Sequence, residues 1–400
     1  MSRSLRPDYY PQFACLMGQC RLNCCRENWE IPLMKSEYEN IRAAGRKCKG
    51  ELEELIGKSL AKEGSPAGVY AHIRHGKDGA CPLCTVEGLC RLHAACGPDV
   101  LGSVCRTFPR SHVLWNGRHR QGCSAGCQAT VALLKDRREP IAFVEGEFVA
   151  DGWEEGKGTF SLPMEVLNRR PILARLEELQ LQMAALLQQR EKPMNIRMGE
   201  LAAALSELNK AEKRGEPDAS LTAPQAAEPA READLRDALA AITLFTTVFF
   251  QNGTPEEQAF IQRVWQNCGV RFVQGKMGAE LHLDAKAFQF CAEKRDALWA
   301  ENAPHLWEHL MVNQLFQDRL PFGDGTAGIW ENTLYFCAVY AILRFLAAGV
   351  ADGEWHETED ALVRGLRKYT HSTLLMPRTV EQLRRRGLDG PQGLALLLSL

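Results

Sequence analysis

Cys15-Leu16-Met17-Gly18-Gln19-Cys20-Arg21-Leu22-Asn23-Cys24-Cys25 opens the stretch, residues 15–127, on which the fold of this chain turns. Twelve of the fifteen cysteines lie in that stretch, and only Cys268, Cys291 and Cys337 occur in the 273 residues after it. Evenly scattered thiols would be packing residues. A dense block with CxxxCC, CPxC and CxxxC spacings is metal-site arithmetic, because thiolates are soft charged donors and a short spacing presents several to one centre.

Around this block the chain divides by pattern. Residues 1–138 read as a cysteine-rich metal-cluster module, with helical periodicity only near Lys35–Arg46. Val113-Leu114-Trp115-Asn116-Gly117-Arg118 carries the Asn-Gly signature of a tight hairpin, and residues 141–150 a second short β element. From Pro163 apolar residues recur at three- and four-residue steps (Leu173, Leu176, Leu179, Met183, then Leu201, Leu205, Leu208), so residues 139–212 read as a helical segment. Residues 213–233 have linker composition. Residues 234–400 read as a C-terminal α-helical domain, with helices near 234–251, 256–267, 284–301, 304–319, 329–348, 358–371 and 378–386. The expected fold class is therefore mainly α: a cysteine-rich module with short β elements packed on a helical body.

A net charge of −2 argues against nucleic-acid binding by bulk electrostatics. The N-terminus lacks the apolar run of a signal peptide. The most apolar stretch, Ile329–Ala348, carries Glu331, Asn332 and Arg344 and falls short of the ~20 apolar residues a bilayer span needs, so it reads as a buried helix. No membrane partner is expected, and a reducing cytoplasm is, where disulfides do not persist and clustered cysteines bind metal or react. The spacings say more about the presence of a metal than about its identity. An iron–sulfur cluster, [4Fe-4S] by preference, is expected, with zinc as the alternative. The CxxxCxxC loop of radical enzymes is excluded because Glu27 stands at its third position.

Cys20-Arg21-Leu22-Asn23-Cys24-Cys25 followed by Trp29-Glu30-Ile31, then Cys81-Pro82, Leu89-Cys90-Arg91, Cys105-Arg106-Thr107-Phe108-Pro109-Arg110 and Cys127, together resemble the flagellin lysine-N-methylase family and its cysteine-rich, zinc- or iron-chelating relatives. A second match, Trp307-Glu308-His309-Leu310-Met311-Val312-Asn313-Gln314-Leu315-Phe316 with Leu320-Pro321-Phe322, is similar to a helix of the methylase members. Cys48, Cys84, Cys96 and Cys123 stand outside the shared set. The resemblance makes Cys15, Cys20, Cys24, Cys25, Cys81, Cys90, Cys105 and Cys127 the candidate metal ligands.

It also implies methyl transfer from S-adenosylmethionine to lysine ε-amino groups of flagellin. That chemistry needs a neutral amine, so a lysine of pKa ~10.4 must lose its proton in the site. Glu308 and Asn313, polar residues on an otherwise apolar helix, are the candidate catalytic pair. Arg106, Arg110 and His112 are candidate cofactor contacts, suited to a carboxylate such as that of S-adenosylmethionine. Gly323, Gly325 and Gly328 form a GxGxxG, but a helix precedes it where a nucleotide fingerprint needs a strand, so it reads as a helix–helix turn. The rival function is a non-catalytic iron- or zinc-binding or redox protein whose helical body binds a partner.

Overall fold

The Ile329–Ala348 helix is apolar on every side, and a helix of that kind must be surrounded. Sixteen of its twenty residues are buried. The helices Met194–Lys213, Leu235–Phe250, Ala285–Asn302, Trp355–Thr370, Leu375–Arg385 and Pro391–Leu398 pack around it. This computed structural model describes residues 3–27, 29, 31–63, 68–150, 160–221, 235–251, 253–275, 278–370 and 375–400. Beside this bundle the Leu306–Gln317 helix is buried from Leu306 through Phe316, between the Leu176–Leu187 and Gln128–Asp136 helices and the Arg118–Cys123 strand. Side-chain caps start the Pro255–Asn267 helix, where Thr254 and Glu257 form a capping box, and the Ala285–Asn302 helix, where Asp284 accepts from the amides of Lys286 and Ala287. Among the described residues no helix is long and apolar enough to cross a membrane.

The β structure lies mostly in the N-terminal part. A five-stranded sheet runs in the order Phe143–Glu147, Arg3–Pro7, Arg118–Cys123, Arg110–Trp115, Phe160–Ser161. Its central hairpin turns at Asn116 (φ 49°) and Gly117 (φ 72°), the left-handed pair that the Asn-Gly signature predicts. A three-stranded sheet joins Ile31–Leu33, Ala71–Ile73 and Leu60–Ala61. The Val270–Gly275 and Gly278–Leu283 hairpin lies in the C-terminal part expected to be α-helical, between the helices expected near 256–267 and 284–301.

Packing divides the chain into two hydrophobic cores. A small one holds Ile31, Leu33, Ile41, Ile56, Ile73, Leu83 and Leu92 beneath the cysteine loops. The large one runs from Tyr9 to Leu400 and takes in the sheet residues Trp115 and Cys123 with the helical body. The boundaries at 138/139 and 212 therefore fall inside one continuous core. Of the expected linker, residues 222–233 lie outside the described residues. Lys213 closes the Met194–Lys213 helix, and the carbonyls of Pro217 and Ala219 accept hydrogen bonds from Arg175.

Candidate active site at the seam of the two cores

Two cysteine loops are knitted by backbone contacts. The Cys81 amide donates to the Cys25 carbonyl at 2.7 Å, and Asn23 caps the turn through the Cys25 amide while its Nδ2 donates to the Gly88 carbonyl, both at 2.8 Å. Gly18 passes so near the Glu87 carbonyl oxygen that a Cβ there would collide with it. Trp29 meets Phe108 edge-on at 4.7 Å, tying the segment after Cys25 to the one after Cys105. Cys24 lies within electrostatic reach of Cys20, Cys25, Cys90, Cys105 and Cys127. Cys15 reaches Cys20, and Cys81 reaches Cys25, Cys90 and Cys105. The eight candidate ligands thus form one neighbourhood drawn from three separated groups.

The Cys25 thiol donates to Cys24 and brings it down to about 7, while burial first, then neighbouring thiols, push Cys20 up to about 11. Among the described residues no three His, Cys, Asp or Glu side chains are arranged to hold a metal ion. The donor chemistry suits a soft metal, but the thiols do not close on one point.

The cysteine neighbourhood is clamped to the helical body by arginines. Arg367 donates to the carbonyls of Gly126 and Leu22, each at 2.7 Å, and pairs with Glu27. Arg21 reaches Glu359 at 2.8 Å and Asp360 at 3.0 Å. Along the same seam lies a cavity of about 840 Å³. Its walls come from Phe108–Ser111 and Ser124 on one side, and on the other from the Gln314–Ala327 turn region, Tyr335, Tyr369 and the Leu375–Arg385 helix. Both stretches that carry the family resemblance therefore converge on it. Asp318 is enclosed by protein but keeps access to solvent through the cavity. It accepts from Gln314 Nε2 at 2.8 Å and from the Tyr369 hydroxyl. Burial raises its carboxyl to about 6, against those two hydrogen bonds and the Arg319 guanidinium, which favour ionisation. Tyr335 and Tyr369 stack at 4.9 Å.

The expected site residues are placed as follows. Glu308 is buried and saturated: Arg190 reaches it at 2.8 Å and Arg197 at 2.8 Å. Burial alone would raise its carboxyl, but the two guanidiniums hold it below the usual range. Asn313 accepts from the Tyr9 hydroxyl and donates to the Cys123 carbonyl at 3.2 Å, so it ties the N-terminal segment and the sheet to its helix. Neither is among the residues that line the cavity. Arg110 does line it, with its guanidinium 4.9 Å from the Phe13 ring centroid. His112 follows on the same strand but stacks on His119, their nearest ring nitrogens 2.9 Å apart, and burial pushes it down to about 4. Arg106 lies in the short Ser103–Thr107 helix directly after Cys105. The glycine triplet is the helix–helix turn: Gly323 and Gly325 have φ of 62° and 85°. Asp318, Tyr335 and Tyr369 escape sequence reasoning because their separations carry no spacing motif. The one available signal was Asp318 itself, two residues before Leu320-Pro321-Phe322.

The cavity thus lies where residues 108–111 and 124 of the cysteine-rich part meet the helical body. Residues 180–397 match the FliB lysine N-methylase C-terminal domain, more than half of the chain, and the protein belongs to that family. No curated protein and no solved structure shows a significant match.

Proposed function

We propose that the protein transfers methyl groups from S-adenosylmethionine to lysine ε-amino groups of flagellin, with the reaction in the seam cavity. The observation that carries this is the convergence of the family-matched residues Gln314–Ala327, Tyr335 and Tyr369 with Phe108–Arg110 on one cavity of about 840 Å³. That volume lies in the range of pockets that hold drug-sized ligands. Arg110, on the wall, is suited to the carboxylate of the methyl donor. Glu308 and Asn313 serve this site by rigidity, holding the helix that ends in Gln314 and Asp318.

Four of the eight candidate cysteines, Cys24 and its neighbours, are proposed to hold an iron–sulfur cluster, [4Fe-4S], or a zinc ion, the other four being structural or forming a second four-cysteine site, after the loops close on metal binding. A bound metal centre would neutralise the thiolates and lock the two cysteine loops together. Arg106, one residue from Cys105, is suited to offset residual negative charge there. The test is anaerobic purification with iron, zinc and sulfide analysis, combined with co-expression of flagellin. Stoichiometric metal and lysine adducts of ~14 Da, the mass of one CH₂, are expected. Unmodified flagellin in the presence of folded protein and S-adenosylmethionine refutes the activity, and metal well below one ion per chain refutes the metal centre.

A further inference from the structure

The family match names a reaction but no residue that handles the proton a lysine must lose. The cavity wall contains a group suited to it. Asp318 is held by neutral donors, Gln314 and Tyr369, unlike Glu308, which two guanidiniums saturate. The Tyr335 hydroxyl is buried in the same wall with no hydrogen-bond partner among the described residues, and its ring stacks on Tyr369. A buried orphan hydroxyl costs free energy unless a ligand completes it. A carboxylate beside an orphan hydroxyl is complementary to an alkylammonium, by charge and by hydrogen bonding.

We propose that this corner of the cavity is the substrate-amine site, in which the lysine ε-amino group docks between Asp318 and the Tyr335 hydroxyl, and Asp318 takes its proton. The inference rests on the lysine-methylation reading above. In the first step the ammonium gives one proton to the Asp318 carboxylate, leaving a neutral amine and a carboxylic acid. The nitrogen lone pair then forms the N–C bond to the sulfonium methyl as the C–S bond breaks, and sulfur keeps that electron pair as a neutral thioether. The product is a methylated ammonium, and Asp318 returns its proton to water.

Burial keeps both phenols protonated, so they donate rather than compete for the proton. A free lysine holds its proton more tightly than Asp318 does, so the site must also weaken the ammonium. Enclosure and the Arg319 guanidinium on the same wall both act in that direction. The other charged groups facing the cavity are Arg110, Asp324, Glu331, Glu381 and Arg384. Of these, Arg384 and Glu331 pair at 2.5 Å, and Asp324 accepts from the Thr326 amide at 2.9 Å.

The test uses the full-length protein and n-butylamine as probe, titrated with calorimetric detection, beside steady-state methyl transfer to flagellin. The wild type should bind the amine saturably, D318N at least tenfold more weakly and Y335F severalfold more weakly. In turnover, D318N should lose at least ~100-fold in kcat, the range for a positioned base, with S-adenosylmethionine affinity unchanged. Y369F removes a hydrogen bond that favours the ionised carboxylate, so the acidic limb of its kcat–pH profile should move to higher pH. Folded D318N that binds n-butylamine like the wild type, or keeps kcat within threefold, overturns the proposal. If D318N does not fold, Y335F and Y369F decide by the same two readouts. Asp318-dependent amine binding without methyl transfer by the wild type would sink the flagellin-methylation reading and leave the amine site standing.

Discussion

Glu308 and Asp318 are acidic residues ten positions apart at the two ends of one buried helix, and their environments drive them in opposite directions. Glu308 is held below its ordinary value near 4.5, so its contribution to stability is complete above that pH and is lost as pH falls. Removing one partner of such a buried pair leaves uncompensated charge, and E308Q should cost about 3–5 kcal/mol at neutral pH. Asp318 is raised from 3.8 to about 6, so the folded state binds the proton more tightly and stability falls as pH rises across that window. At ~1.36 kcal/mol per unit, the fall is at most ~3 kcal/mol, and D318N should abolish it. Urea titrations at pH 3, 4, 5, 6 and 7 check both. The E308Q deficit should be constant at pH 5–7 and shrink below the carboxyl's ordinary value near 4.5, and the wild-type fall between about 4 and 6 should be absent from D318N. No E308Q deficit at pH 7, or a D318N curve parallel to the wild type across pH 4–6, refutes the corresponding assignment. A carboxylate retained at that cost is more consistent with chemistry than with packing. In the sequence, Glu308 and Asn313 stood out because polar residues interrupt an apolar helix. That signal marks burial with partners, and the partners, Arg190, Arg197, Tyr9 and the Cys123 carbonyl, consume their capacity.

Elements with their own periodicity were legible and elements made by context were not. Ile329–Ala348 matches the expected range residue for residue, because a stretch apolar on every side has only one place to go. The Asn116-Gly117 hairpin was equally plain. The Val270–Leu283 hairpin was missed. Its exposed Phe272 and Val273 break the inside–outside alternation that marks a strand, and Gly275 and Gly278 are not adjacent. The short Arg91–Cys96 helix was also invisible, and it creates a pairing that no spacing suggests. Its last residue, Cys96, stands with its sulfur 3.1 Å from that of Cys48, at the end of the Lys35–Cys48 helix. Two accessible thiols this close need little movement to reach the ~2.05 Å bond. Oxidised glutathione should therefore convert them to a disulfide, the two thiols losing two protons and two electrons and glutathione disulfide becoming two glutathiones. Peptide mapping without reductant should recover a Cys48–Cys96 cross-link ahead of any other. Closing that 48-residue separation should stabilise the module by up to ~4 kcal/mol in the chain-entropy account. Mixed cross-links in no order would refute the pairing.

At the scale of the molecule the two cores are unequal, and the inequality predicts how the protein comes apart. The large core gathers helices around Ile329–Ala348 and should stand on apolar burial at ~25 cal/mol per Å². Among the described residues the small core has ten buried side chains beneath the cysteine loops, fewer than a domain of that size needs to fold alone. Two things supplement it: the arginine clamp, with Arg367 on Leu22, Gly126 and Glu27, and the metal centre proposed among the eight candidate thiols. The clamp alone tethers the Cys20–Glu27 segment from one side, whereas a metal would join that segment to the Cys81–Cys90 loop from within. Removing metal with a strong chelator under anaerobic, reducing conditions should therefore open residues 15–105 to limited proteolysis. The segments beyond Leu176 should remain intact, because none of the eight candidate ligands lies in them. R367A should produce the same early cleavage near Cys20–Glu27 with metal still bound, and chelation of that variant should release the module's remaining protection. If chelated protein is instead cut uniformly through the Leu306–Gln317 and Ile329–Ala348 helices, the module and body share one cooperative unit. The metal would then stabilise the whole fold rather than its cap.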